Sequence, residues 1–427
     1  MKAVTLTLIA AAALMARGDL SFDAGADLRI RQEFIMNCTG LPEGGLATPA
    51  CGAYRHQMRF RPRVWGEVKG DAGEYGKWRL FARLCDEFRW NTRPYSTSTS
   101  WPGEVIFDNL FIEGKDLFDG FIDVQIGRRD LYGYCNLDHI FVDGTPGDGS
   151  RTQYTDMANV RFKFENDATL DVFGLYNFDN AKDFRWGDDD HRFSSLAARY
   201  PNGQGNQDDW GIGVVWGQTL DKSLKYQIFA VQKQMLHQEK AHTELIGARV
   251  MPRWTEEWQS EFEAMSELNG QWSGFASLAW KSSREGIKPL AKLSYHYLSE
   301  EWDPMWARDA IESELFLYGT HDGVAWWTNQ HYLKLQAGLE FSPRHSLIAS
   351  TGPMFAARPD GRSGRDGSFK GLYSRIKYSF PIVTADRTKG ERFEIFAHLT
   401  ADLLNPGDYY ASEKPAWYAR WQVEFKF

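Results

Sequence analysis

From Tyr54 to Gly70 the chain alternates in a two-residue rhythm. Met58, Phe60, Pro62, Val64, Gly66 and Val68 share one face of an extended chain, and Gln57, Arg59, Arg61, Arg63, Glu67 and Lys69 share the other. A water-soluble sheet would bury the apolar row in a core. A membrane barrel instead turns that row to lipid and leaves the charged row facing a wet lumen. The next segment repeats the pattern, with Trp78, Leu80, Ala82, Leu84, Phe88 and Trp90 set against Lys77, Arg79, Arg83, Glu87 and Arg89. The two together predict neighbouring staves of a pore wall.

Alternation and turn signals predict strands over 20–36, 54–70, 75–90, 104–116, 119–131, 152–164, 169–178, 209–217, 223–234, 242–251, 256–268, 272–283, 289–301, 330–342, 346–358, 369–381, 392–404 and 416–427. Long connections (37–53, 91–103, 132–151, 179–208) alternate with short ones (71–74, 117–118, 165–168, 218–222), as in a barrel with both chain ends in the periplasm. Two connections break the alternation: Asn269 to Gln271 is short where an outer loop belongs, and Ile382 to Glu391 is long where a periplasmic turn belongs. The last segment sets Trp417, Ala419, Trp421, Val423, Phe425 and Phe427 against Tyr418, Arg420, Gln422, Glu424 and Lys426, ending on an aromatic as outer-membrane barrels do. The expected fold is all-β: an 18-stranded antiparallel transmembrane β-barrel with short periplasmic turns and long extracellular loops.

Composition fits this expectation. Aromatic residues make up 15% of the 427, and barrels place them in girdles at both membrane interfaces. After the N-terminus no stretch approaches the ~20 apolar residues of a membrane helix. Residues 1–18 read as a signal peptide, with Lys2, an apolar run from Ala3 to Met15, and Ala16-Arg17-Gly18 as the cleavage pattern. The barrel domain is then 19–427. Cys38 and Cys51 fall in one loop and could form a disulfide. Cys85 and Cys135 could pair only if the later loop folds inward.

The same parity predicts which charges line the lumen. Arg29 and Arg31 face it from the first strand, and Arg59, Arg61 and Arg63 from the second. Arg79 and Arg83 follow on the third, then Arg161 and Lys163, with Arg151 at the mouth. Far round the wall the eleventh strand turns Glu257, Glu261, Glu263 and Glu267 inward. Rows of Arg suit carboxylates and anion-selective pores, and opposing acids would keep a polyanion from being trapped. A plainer alternative has the cations pairing across strands with Glu67, Glu87, Asp23 or Asp27 around a non-selective lumen. Arg128 and Arg129 stay ambiguous: strict parity aims Arg129 inward, and a bulge at Gly127 would reverse the two.

Gly127-Arg128-Arg129-Asp130-Leu131, Ser150-Arg151-Thr152, Val160-Arg161-Phe162 and Leu170-Asp171-Val172-Phe173 together resemble the shared region of the alginate export family of outer-membrane proteins. The match runs from Phe107 to Asn177. Tyr134-Cys135-Asn136 departs from the family pattern, and Ile140-Phe141-Val142-Asp143 keeps only part of it. The resemblance implies an eighteen-stranded monomer with an arginine-rich lumen that passes anionic polyuronate. It also implies Arg128 in the lumen, a long eighth periplasmic turn matching Ile382 to Glu391, and an outer loop folded into the pore, with Trp90 to Gly103 as the plug.

Other clusters carry less. Asp188-Asp189-Asp190-His191 lacks the glycine-spaced ligands of a calcium loop and reads as a solvated loop. His296, His331 and His398 show no paired nucleophile in the sequence, and His398 reads as a hydrogen-bonding lumen residue. Gly211-x-Gly213 has no helix after it and signals close packing in a strand. The expected function is passage of an anionic polysaccharide or oligosaccharide without catalysis, cofactor or metal. The alternatives are a general or anion-selective porin for small solutes, a barrel enzyme, and a soluble jelly-roll lyase. Expected partners are the acidic glycan, outer-membrane lipid and lipopolysaccharide, and periplasmic secretion components, with no nucleic acid.

Overall fold

The structure is a computed structural model, and it describes residues 20–36, 54–86, 88–93, 105–129, 155–177, 185–186, 209–221, 223–235, 242–302, 305, 329–359, 367–386, 390–409 and 415–427. The signal peptide, Cys38, Cys51, Cys135, Arg151 and the Asp188–His191 run lie outside these residues. The strands are β1 (Leu20–Met36), β2 (Tyr54–Asp71), β3 (Lys77–Cys85), β4 (Val105–Asp116), β5 (Ile122–Arg129), β6 (Thr155–Lys163), β7 (Ala168–Asn177), β8 (Asp209–Leu220) and β9 (Leu224–Met235). They continue as β10 (His242–Pro252), β11 (Trp258–Glu267), β12 (Trp272–Lys281), β13 (Lys288–Leu298), β14 (Gln330–Ser342), β15 (His345–Phe355), β16 (Phe369–Val383), β17 (Glu394–Pro406) and β18 (Ala416–Lys426). A further piece, Phe88–Arg93, prolongs β3 along β2, and a two-residue strand, Arg185–Trp186, pairs with the start of β4.

Each strand pairs antiparallel with its neighbours in the chain, and β18 returns to β1 from Asp27↔Lys426 to Met36↔Trp417. Closure leaves no strand edge to be satisfied in lipid. The terminal Phe427 joins the ladder, its N–H donating to the Ala26 carbonyl at 2.9 Å. The gap between Cys85 and Phe88 lies opposite Pro62. The Pro62 carbonyl accepts from the Asp86 N–H at 3.2 Å, but the proline nitrogen has no proton to return. The Asp86 carbonyl instead lies 3.7 Å from the buried Cys85 thiol, which donates to it.

The two faces of the wall differ as the alternation requires. Phe22, Ile228 and Leu335 are 74%, 57% and 54% exposed, an arrangement that is favourable only against hydrocarbon. The intervening residues are buried or line the interior. Rings gather at both ends of the outer face. Phe121, Phe162, Phe164 and Trp216 form a chain of contacts at the turn end, and Trp272 stacks on Tyr297 with centroids 3.9 Å apart at the loop end. An apolar belt between two aromatic girdles is the signature of a bacterial outer-membrane barrel.

The two irregular connections also resolve. Glu267 donates its N–H to the Gln271 carbonyl at 2.8 Å and Gly270 adopts φ 92°, so β11 and β12 meet in a tight hairpin. Between β16 and β17 the Asp386 N–H donates to the Glu391 carboxylate at 3.0 Å, pinning the ends of the long turn together.

Candidate functional site

The register of β1 on β2 sets arginine directly opposite arginine: Arg29↔Arg61 and Arg31↔Arg59. Opposed like charges destabilise a sheet unless acids intervene. Glu33 intervenes for one pair, lying 3.2 Å from Arg31 and 3.0 Å from Arg59 and accepting from the Tyr418 hydroxyl at 3.1 Å. Gln422 accepts from Arg31 at 2.8 Å. Asp27, two residues along, takes Arg63 in a bond of 2.8 Å. Arg61 differs from these: it is 7% exposed, its Nε is buried without an acceptor, and it makes no hydrogen bond or ion pair with any described residue.

On β3, Arg79 bonds Glu67 at 2.8 Å, and Glu67 also takes Lys69. A bulge in β4 shifts the register between Arg83↔Asn109 and Leu84↔Phe107, leaving Asp108 as the extra residue. The bulge turns both Asp108 and Asn109 inward, and Arg83 meets the Asp108 carboxylate through two bonds of 2.8 and 3.0 Å. Arg161 makes the same two-pronged contact with Asp171 across β6 and β7, at 2.8 and 3.1 Å. Lys163 sits near the turn end and reaches both Asp116 and Asp123 at 2.7 Å.

The Gly127 ambiguity resolves in favour of parity. Arg129 lies on the lumen side, its guanidinium 5.4 Å from the Phe111 ring and bonded to Gln125. Arg128 shares the outward row with Val124 and Ile126, and it grips Asp156 at 2.8 and 2.9 Å. The expected lumen placement of Arg128 is therefore corrected: the strand keeps its two-residue period through Gly127.

The acidic row also needs correction. Glu257 belongs to the turn before β11, where it accepts from the Ser283 N–H and hydroxyl, both at 2.7 Å, and from the Trp280 indole at 3.1 Å. These bonds, the backbone one foremost, hold its carboxyl below the usual carboxylate range. Glu261 and Glu263 do face inward, but both pair with Arg249 of β10. The acids thus carry their own cation, and the field expected across the lumen is weaker than the sequence suggested. Parity reasoning also passed over Lys233, Arg249 and Lys370, all buried, and the half-buried Arg375.

The wall from β6 to β13 is different again. Met157, Phe173, Leu175, Val215, Phe229, Val231, Leu245, Met265 and Leu298 form one buried apolar cluster on inward positions. Two glycines make room for it. A Cβ on Gly213 would stand 2.4 Å from the Phe173 ring, and one on Gly247 would stand 2.4 Å from Phe229. Trp302 and Met305, from the segment after β13, complete the cluster, and Lys233 donates to the Met305 carbonyl at 2.8 Å. Among the described residues an inward contact is thus made by Trp302 and Met305. Most of Trp90 to Gly103 lies outside the described residues, and Trp90 itself is exposed on the outward row.

His398 faces the lumen with its Nδ1 2.9 Å from the Ser379 hydroxyl, His296 packs against Phe275, and His331 faces outward beside Tyr295. Among the described residues no group of three or more His, Cys, Asp or Glu is placed to hold a metal ion.

Comparison of folds finds close architectural likeness at low sequence identity. The chain is similar over 95% of its length to outer membrane protein OpdK of Pseudomonas aeruginosa, covering 98% of that chain at 10% identity with a TM-score of 0.57. OccK9 (OpdG) of the same organism gives the same coverage, identity and TM-score. Acinetobacter baumannii OccAB2 matches over 95% of this chain and 98% of its own, at 10% identity and a TM-score of 0.56. No family model and no curated protein matches the sequence.

Proposed function

We propose that this barrel is a passive outer-membrane channel that admits small solutes by diffusion and favours anions, with no chemistry performed on them. The observation that carries this reading is Arg61. A guanidinium set in the inward row, beside Arg63 and opposite Arg29, with no carboxylate of its own, offers its donors to a passing anion. Its neighbours are paired, so they supply moderate attraction without a trap.

A finer version concerns the solute. Opposed pairs Arg29/Arg61 and Arg31/Arg59 follow each other at about 7 Å, two residues of strand rise, so a chain bearing several carboxylates can pass from one pair to the next. Acidic oligosaccharides of the alginate-like kind fit that spacing, in keeping with the resemblance carried by Arg161 and Asp171. The inward seat of Trp302 and Met305 favours short solutes over a long polymer, because it occupies part of the bore.

The test is the reversal potential of the purified protein in planar bilayers under a salt gradient. Wild type is expected to prefer chloride to potassium, and Arg61→Gln combined with Arg83→Gln to lose most of that preference. An unchanged permeability ratio removes the anion preference. Release of product from lipid, peptide or glycan substrates by the pure protein would favour a barrel enzyme instead.

A further inference from the structure

Not every inward residue on the basic wall is charged. Trp65 of β2 stands between Arg63 and Glu67, opposite Gly25 on β1 and Arg83 on β3. A Cβ on Gly25 would lie 2.6 Å from the indole, so the ring packs over the bare backbone there, and it stays partly exposed on its inward position. Phe81 follows on the next strand with its centroid 6.1 Å away and a plane tilted by 22°, and Phe111 follows Phe81 at 5.4 Å and 29°. Three rings therefore run side by side across the inner wall. The Arg79 guanidinium covers Phe81 at 4.8 Å and, with Arg129, Phe111 at 5.4 Å. No described cation covers Trp65 in this way. Its indole N–H also makes no hydrogen bond with any described residue.

A half-buried indole face, flanked along its own strand by the Arg63–Asp27 and Glu67–Arg79 ion pairs, combines two kinds of recognition. The ring presents flat apolar area, and the ion pairs present fixed donors and acceptors around its rim. A flat polyhydroxylated ring matches both at once: its C–H face lies on the indole and its hydroxyls reach the paired charges.

We propose that Trp65 is a pyranose-binding platform inside the lumen, at which sugar rings stack irrespective of their charge. It would act beside the anion preference, and it rests on the reading of the barrel as an open diffusion channel.

The test measures block of single-channel current by maltotriose, a neutral trisaccharide, with the anion-to-cation permeability ratio measured in the same membranes. Wild type is expected to show concentration-dependent block. Trp65→Leu should weaken that block about ten-fold, the scale of one good ring contact, with the permeability ratio unchanged. Trp65→Phe should restore most of it. Heat-modifiable migration on gels verifies that each variant folds, and Trp65→Thr, expected to weaken the block as the leucine change does, carries the comparison if the leucine variant does not. Absence of block in wild type, or equal block in all three proteins, overturns the platform. A channel that shows Trp65-dependent block but no anion preference would sink the proposed function and leave this inference standing.

Discussion

The inner wall has two unlike regions built on one alternating rhythm. Across β1 to β4 the inward row is largely guanidinium and carboxylate, as in Arg59 with Glu33 and Arg83 with Asp108, with the rings of Trp65, Phe81 and Phe111 among them. Across β6 to β13 it includes Met157, Phe173, Val215, Phe229 and Met265, closed over by Trp302 and Met305. Charged groups need water or partners, and apolar ones need cover. The difference sets a charged wall against an apolar one: on the proposed function the solute path would follow the basic side, while the apolar side seats the segment that carries Trp302 and Met305.

The largest expected effect comes from unseating that segment. Trp302→Ala with Met305→Ala removes its two buried side chains, and truncating one buried tryptophan costs about 3–5 kcal/mol. Single-channel conductance should rise, with the barrel still folded. Unchanged conductance would mean the apolar seat does not shape the water path.

Next is the glycine relief under the seat. Gly247→Val would drive a side chain into Phe229, and overpacking of this kind costs about 1–3 kcal/mol. Thermal unfolding in detergent should shift down for that variant. Gly274→Ala, where the nearest atom stands 3.7 Å away, should leave it nearly unmoved. Equal shifts would show that the seat tolerates extra volume.

On the basic side the effects are smaller and opposite in sign. Asp108→Asn releases Arg83 and should raise the anion preference, while Arg83→Gln should lower it. Each change is on the order of two-fold in permeability ratio, the scale of one partly solvated ion pair. Shifts of the same sign would mean the pair acts only through packing.

The smallest effect belongs to the periplasmic turn. The carboxyl of Glu257 titrates below its unfolded value, so its stabilising contribution is present above that value and is lost as pH falls through the lowered one. Glu257→Gln should lower the melting temperature slightly at pH 7 and not at all in strong acid. A difference that persists at low pH would contradict the hydrogen-bonded carboxylate.

Much of this was legible in the chain. The strand over 20–36 and the strand over 330–342 have the bounds the alternation gives, because polar and apolar residues there alternate cleanly. The apolar seat was hidden for the converse reason. In β7, Leu170, Val172, Phe173, Leu175 and Tyr176 crowd both faces, and parity alone cannot separate an inward phenylalanine from a lipid-facing one. Gly213 was the available clue, since a bare backbone position in a strand signals a ring lying across it. Partners stayed hidden as well. That Asp108 would serve Arg83 depends on a bulge, and that Arg249 would serve Glu261 depends on strand register, and neither is written in local sequence.

The central claim is that β2 divides water from lipid between adjacent residues. It is tested most directly by introducing Arg61→Cys and Val64→Cys separately into a background in which Cys38, Cys51, Cys85 and Cys135 are all replaced by Ser, and adding a membrane-impermeant anionic thiol reagent during current recording. The account predicts that the reagent reduces current through the Arg61→Cys channel and leaves the Val64→Cys channel unaffected. Modification at position 64 with none at position 61 would contradict it.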